Sequence, residues 1–89
     1  MDLRLAVKRE YFEGIVNGNK LEEYRLCNEY WTKRLVGKEY DTVTITLGYP
    51  SKEQIDRIAT FKWQGYKRKI ITHKHFNNKP VEVFAIRLY

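Results

Sequence analysis

Cysteine occurs once in the chain, at Cys27, which excludes an internal disulfide and a multi-cysteine zinc site and fits a reducing compartment. No apolar run comes near the length of a membrane span, and no stretch has the shape of a secretory leader. The expectation is a cytoplasmic protein that stays off membranes. A glycine-rich phosphate loop, a serine nucleophile elbow and a cysteine–histidine pair are also missing, which removes three common routes to phosphate binding and nucleophilic catalysis. Acidic residues are missing from one long stretch. None lies between Asp56 and Glu82, where Arg57, Lys62, Lys67, Arg68, Lys69, Lys74 and Lys79 supply seven positive charges.

The rest of the chain holds ten basic and eleven acidic residues, so the net charge of +6 lies wholly in that stretch. A surface so polarised fits a polyanionic partner. The competing reading is a solvated sheet edge whose lysines discourage pairing with other chains. With 89 residues, 43% hydrophobic and 15% aromatic, the chain has material for one core and not for two, so residues 1–89 are expected to form a single domain and a monomer.

Residues 2–8, DLRLAVK, alternate Leu3, Leu5 and Val7 with mostly polar neighbours, which predicts a half-buried strand. REYFEGIVNG then changes period. Phe12, Ile15 and Val16 share a helical face, and Gly18 after Asn17 is a left-handed stop. Residues 20–25 follow as an extended segment. DTVTITLG, 41–48, reads as a strand with Val43, Ile45 and Leu47 on one face and threonines on the other. Pro50, with Ser51 and Gln54 in capping-box register, predicts a turn with one helical turn at most. IATFKWQGYKRKIITHKHF reads as extended chain with a bulge or bend at Gly65, and NNKP as a turn. VEVFAIRLY is apolar at nearly every position, as a strand covered on both faces is. Five or six strands with one or two short helices predict an α+β domain built on a strongly bent sheet or small β-barrel.

GNKLEEYR, residues 18–25, fits G-x-K-x-x-E-x-R in full through Gly18, Lys20, Glu23 and Arg25, directly after a short helix that follows a strand. This arrangement resembles the ASCH family of the PUA-like superfamily. EYFEGIVNG is similar to that family's first helix and VEVFAIRL to its closing strand. The resemblance implies a PUA-like β-barrel with a cleft beside the first helix, suited to RNA or a modified nucleoside. Some relatives are reported ribonucleases, and a close group hydrolyses the acetyl amide of acetylated cytidine. That group uses a Lys, a Thr and a Glu, and this chain has Glu23 in place of the Thr, a residue with no proton to surrender at neutral pH. Tyr24 and Thr32 carry the nearby hydroxyls, and the candidate catalytic set is Lys20, Glu23 and Tyr24.

Apart from any resemblance, Glu23 and Arg25 are two apart in an extended segment, so their side chains leave the same face and are able to pair. A paired Arg presents a planar fork to phosphate or a base edge. Lys20, at an odd spacing from Glu23, converges with the pair only from the turn after Gly18 or from a bulged strand. Its two charged neighbours pull its proton affinity in opposite directions. The alternative is an ion-pair network without chemistry.

WQGYKRK, 63–69, interleaves aromatic and basic side chains as a single-strand or flipped-base platform does, making Trp63, Tyr66, Lys67, Arg68 and Lys69 candidate ligand contacts. Trp63 equally suits the core. HKH puts His73 and His75 on one side of a strand, where contact with RNA is a better fit than a metal, because no third ligand accompanies them. No metal and no cofactor are expected. Three functions stay open: binding of RNA or a modified nucleoside through Lys20, Glu23, Arg25 and the basic stretch; metal-independent hydrolysis with Lys20 as base or nucleophile; and a protein-interaction module whose basic face meets an acidic partner.

Overall fold

The computed structural model describes the whole chain, Met1–Tyr89. Its elements run β1 (Asp2–Val7), α1 (Arg9–Val16), β2 (Glu22–Leu26), α2 (Glu29–Leu35), β3 (Thr42–Leu47), a 3₁₀ turn (Ile55–Arg57), β4 (Ile58–Lys62), β5 (Tyr66–Thr72), a second 3₁₀ turn (Lys74–Phe76) and β6 (Pro80–Arg87). No helix is long and apolar enough to cross a membrane.

The alternation in β1 does what it predicts, burying Leu3, Leu5 and Val7. In α1, Phe12 and Ile15 are buried but Val16 is 49% exposed, so the buried stripe is narrower than the sequence reading has it. Both faces of β3 are covered. Thr44 and Thr46 are as buried as Val43 and Ile45, and their hydroxyls are satisfied by Asp2 Oδ1 at 2.8 Å and the Gly48 carbonyl at 2.7 Å. In β6, Val83, Phe84, Ala85 and Ile86 are all at most 1% exposed, as a central strand requires. Val83, Phe84 and Ile86 each contribute about 1.5–3 kcal/mol through burial, and Ala85 less.

The strands do not close into a barrel. They form two three-stranded sheets, β1-β3-β4 and β2-β6-β5, so the expected PUA-like barrel is corrected to two separate sheets with two helices. β1 runs parallel to β3, and β4 antiparallel to it. β6 is flanked by antiparallel β2 and β5. The ring of hydrogen bonds is open in two places. At Gly65, whose φ is +80°, the chain passes from β4 in one sheet to β5 in the other, so of the expected bulge or bend the structure has a bend, at a change of sheet. Between β1 and β2 no ladder forms, and the Ala6 carbonyl of β1 accepts from the Arg25 side chain of β2 at 2.9 Å. A side chain takes the acceptor that a closing strand would use.

Two local readings also change. The Ser51 amide donates to Gln54 Oε1 at 3.0 Å, which is half of a capping box, yet the helical turn starts only at Ile55. Asn77 and Asn78 both hold positive φ, 59° and 55°, and this tight turn leads into β6.

Candidate functional site

The end of α1 sets the position of Lys20. Gly18 adopts φ +82°, its amide donates to the Ile15 carbonyl at 3.1 Å, and the Lys20 amide returns to the Gly14 carbonyl at 2.8 Å. The chain thus doubles back on the helix, close enough that a Cβ at residue 14 would lie 3.4 Å from Lys20 Cβ. Lys20 therefore converges with Glu23 and Arg25 from the turn and not from a bulged strand.

Within β2, Glu23 lies opposite Ile86 and Arg25 opposite Phe84, on the face turned to the core. Glu23 is 6% exposed. Arg25 donates to its Oε2 from Nη2 at 2.7 Å and from Nε at 3.1 Å, while Lys20 Nζ stands 3.7 Å from Oε1. That last separation is an ion pair longer than a hydrogen bond. Oε1 thus retains acceptor capacity beside an ammonium that makes no hydrogen bond of its own. The ammonium lies 4.3 Å from the centroid of the Tyr24 ring and 5.8 Å from that of Tyr11, and the Arg25 guanidinium lies 5.0 Å from the Trp31 ring.

These groups line a cavity of about 430 Å³ in the open seam between β1 and β2. Ala6 and Val7 come from β1, Glu23, Tyr24, Arg25 and Leu26 from β2, and Trp31 from α2. Tyr11, Tyr49, His73, His75 and Phe76 complete the aromatic wall, and Lys8 and Tyr49 stand exposed at the mouth. Burial pushes the Lys20 ammonium below the ordinary lysine range, against the attraction of Glu23, which raises it. Burial, reinforced by Glu22, pushes the Tyr24 phenol up, which keeps it protonated at neutral pH and a poor nucleophile.

The structure brings Lys20, Glu23, Tyr24, Arg25, His73 and His75 to one cavity. The histidines do not sit on a strand as the spacing implies. His73 caps the 3₁₀ turn, its Nδ1 accepting from the His75 amide at 3.0 Å. Both rings face Tyr11, with centroids at 5.8 and 6.3 Å. No group of three or more His, Cys, Asp or Glu side chains is arranged to hold a metal.

Trp63, Tyr66, Lys67, Arg68 and Lys69 lie elsewhere. Trp63 packs edge-on to Tyr40 at 5.1 Å against the core. Tyr66 packs edge-on to Phe84 at 5.0 Å and, with Lys67, borders a small separate hollow of about 90 Å³. Arg68 covers the Phe84 ring at 5.1 Å, and Lys69 is paired with Glu22 at 2.7 Å. Strand β5, which carries Tyr66 to Lys69, is separated from β2 by β6, and Trp63 precedes it in the connection from β4.

Sequence reasoning passes over Tyr11, Trp31, Tyr49 and Lys8. For Trp31 a signal exists. Asn28 followed by Glu29, with Lys33 and Arg34 later and Gly37 beyond, has the form of a capped helix, and Asn28 Oδ1 does accept from the Trp31 amide at 2.9 Å. Comparison of the chain with protein-family models, curated proteins and solved structures finds no match.

Proposed function

We propose that the seam between the two sheets binds RNA or a modified nucleoside, with a base inserted between the aromatic walls. The observation that carries this reading is the placement of an acceptor, Glu23 Oε1, and a donor, Lys20 Nζ, 3.7 Å apart inside an aromatic-lined cavity. Nucleobase edges present donors next to acceptors, and their faces stack on aromatic rings, so this wall complements both features. A volume of about 430 Å³ falls in the range of small-ligand sites. The likeness of Gly18–Arg25 to the ASCH motif belongs to the same proposal. Titration of the protein with ribonucleosides and short single-stranded RNA, followed by the fluorescence of Trp31 against a Trp31→Phe control, tests it. Glu23→Gln is expected to weaken binding about tenfold or more, because one good base-edge contact discriminates by about 1–3 kcal/mol. A folded protein that binds none of these ligands, or a Glu23→Gln variant that binds as well as the parent, refutes the proposal.

The lowered proton affinity of Lys20 favours a second reading, hydrolysis, in which Lys20 is the base or nucleophile and Glu23 orients it. Incubation with RNA and with acetylated cytidine, beside Lys20→Ala, separates the two. Product formed equally by the variant removes Lys20 from any catalytic role.

A further inference from the structure

The inner and outer parts of the cavity differ in charge balance. Its lining holds three basic side chains, Lys8, Lys20 and Arg25, and two imidazoles, His73 and His75, against a single carboxylate, Glu23. Inside, Arg25 offsets Glu23 through two hydrogen bonds, leaving Lys20 as a cation in excess. At the mouth nothing offsets Lys8, which is exposed and takes part in no ion pair. A neutral nucleoside satisfies the inner wall and leaves this outer set facing water.

The two histidines of the outer set are also held in place. Because His73 Nδ1 accepts from the His75 amide at 3.0 Å, the proton of the neutral ring sits on Nε2, which is thereby a donor. The His75 ring is fixed edge-on against Phe76 at 5.0 Å and Tyr11 at 6.3 Å. The turn that carries both histidines is tied to α1 by Lys74 Nζ and Glu10 Oε2 at 3.1 Å. Imidazoles placed in advance at the rim of a hollow bind an anion with less reorganisation than free side chains, and the mobile Lys8 adds its charge.

We infer that the natural ligand is a nucleotide and not a free nucleoside, with its ribose-borne phosphate seated at the mouth among Lys8, His73 and His75. The inference rests on the reading of the cavity as a nucleobase site, and adds that the mouth recognises the phosphate. Lys20 inside and Lys8 outside then face opposite ends of one ligand, which accounts for a positive lining around a buried carboxylate.

The test compares the four ribonucleosides with their 5′- and 3′-monophosphates and with dinucleoside monophosphates, by calorimetry with the full chain at 50 mM and 300 mM salt. At least one monophosphate series is expected to bind about tenfold more tightly than its parent nucleosides at low salt, with the advantage shrinking at high salt. The dinucleoside arm reports whether a terminal or an internal phosphate is preferred, and tighter binding than the nucleoside in either form supports the inference. The double variant Lys8→Met/His75→Gln, altered at two exposed side chains, is expected to cut that advantage to about threefold or less. Equal affinity for nucleosides and nucleotides overturns the inference and leaves the nucleobase reading standing. An advantage that survives in the double variant also overturns it. Failure of every nucleoside and nucleotide to bind overturns both.

Discussion

Replacing Arg25 by Ala is expected to cost about 3 kcal/mol of folding stability. Arg25 makes three hydrogen bonds: two to Glu23 Oε2, at 2.7 and 3.1 Å, and one to the Ala6 carbonyl at 2.9 Å. A hydrogen bond to a charged partner contributes about 1.5–3 kcal/mol, and breaking a buried ion pair from one side costs about 3–5 kcal/mol because the remaining charge is stranded. Glu23 is not wholly stranded, since Lys20 at 3.7 Å supplies partial compensation, and this selects the lower end of the range. For a chain of 89 residues, total stability is about 4–13 kcal/mol, so the loss is a large fraction of the whole. At about 4–8 °C per kcal/mol for a domain of this size, the melting temperature falls by about 12–24 °C.

Urea denaturation at fixed pH and salt measures the loss, with an unchanged m-value showing that the unfolded state is not the cause. The double variant Arg25→Met/Glu23→Leu adds a second reading of the same contact. It leaves no unpaired carboxylate, and only the less buried Lys20 loses its partner, so it is expected to be more stable than Arg25→Ala alone. A loss below about 1 kcal/mol in Arg25→Ala, or a double variant whose loss equals the sum of the two single ones, refutes the view that Arg25 compensates a buried carboxylate.

Lysine side-chain titration by NMR is expected to order three groups. Lys20 loses its proton first, being lowered by burial, whereas Lys69 and Lys74 lose theirs above the usual range, held up by hydrogen bonds to Glu22 and Glu10. Because Lys20 binds its proton more weakly folded than unfolded, its cost to stability is present in full below its folded pKa and fades as pH rises toward 10.5, so Lys20→Met removes a stability gain from that alkaline window. Titration of Lys20 together with or after Lys69 refutes the ordering. Asn28→Ala is expected to cost about 1 kcal/mol through loss of the α2 cap, and to weaken ligand binding by loosening Trp31; chemical denaturation that shows no change removes the cap argument. Lys67→Gln/Lys79→Gln, two exposed lysines in no ion pair, is expected to lower the salt slope of RNA binding by up to about 2, and an unchanged slope places the backbone contacts elsewhere.

The elements legible in the sequence are those whose burial follows a single period. β1 alternates, β6 is apolar at nearly every position, and α1 ends at a glycine in the left-handed region, all as their residues dictate. α2 is harder to read because only Leu35 is fully buried and Tyr30 is 52% exposed, so its apolar stripe is faint and its signal lies in the cap. The HKH segment reads as strand because it continues the extended stretch before it. The following pair of positive-φ asparagines and the His73 side-chain cap convert it to a 3₁₀ turn, a local hydrogen-bond competition that periodicity does not register. The convergence of Lys20, Glu23 and Arg25 is half legible. The two-residue spacing fixes the Glu23–Arg25 pair, but the return of Lys20 depends on its amide finding the Gly14 carbonyl.

Barrel closure is the feature the sequence misstates, and its failure is what creates the site. Strands joined by a ladder lie about 4.8 Å apart, which leaves no hollow between them. Had β1 and β2 paired in that way, Ala6 and Val7 would stand against the backbone of residues 23–26 and the cavity they now share would be filled. The guanidinium instead bridges the two edges, taking the Ala6 carbonyl with one nitrogen while holding Glu23 with the same group. One side chain thus satisfies an edge that would otherwise need a partner strand and positions the buried carboxylate beside the opening. Closure and an accessible Glu23 are therefore mutually exclusive in this chain. Arg25 of the charged motif thus occupies the β1 edge at the opening that holds the cavity, while the other opening lies at Gly65 between β4 and β5.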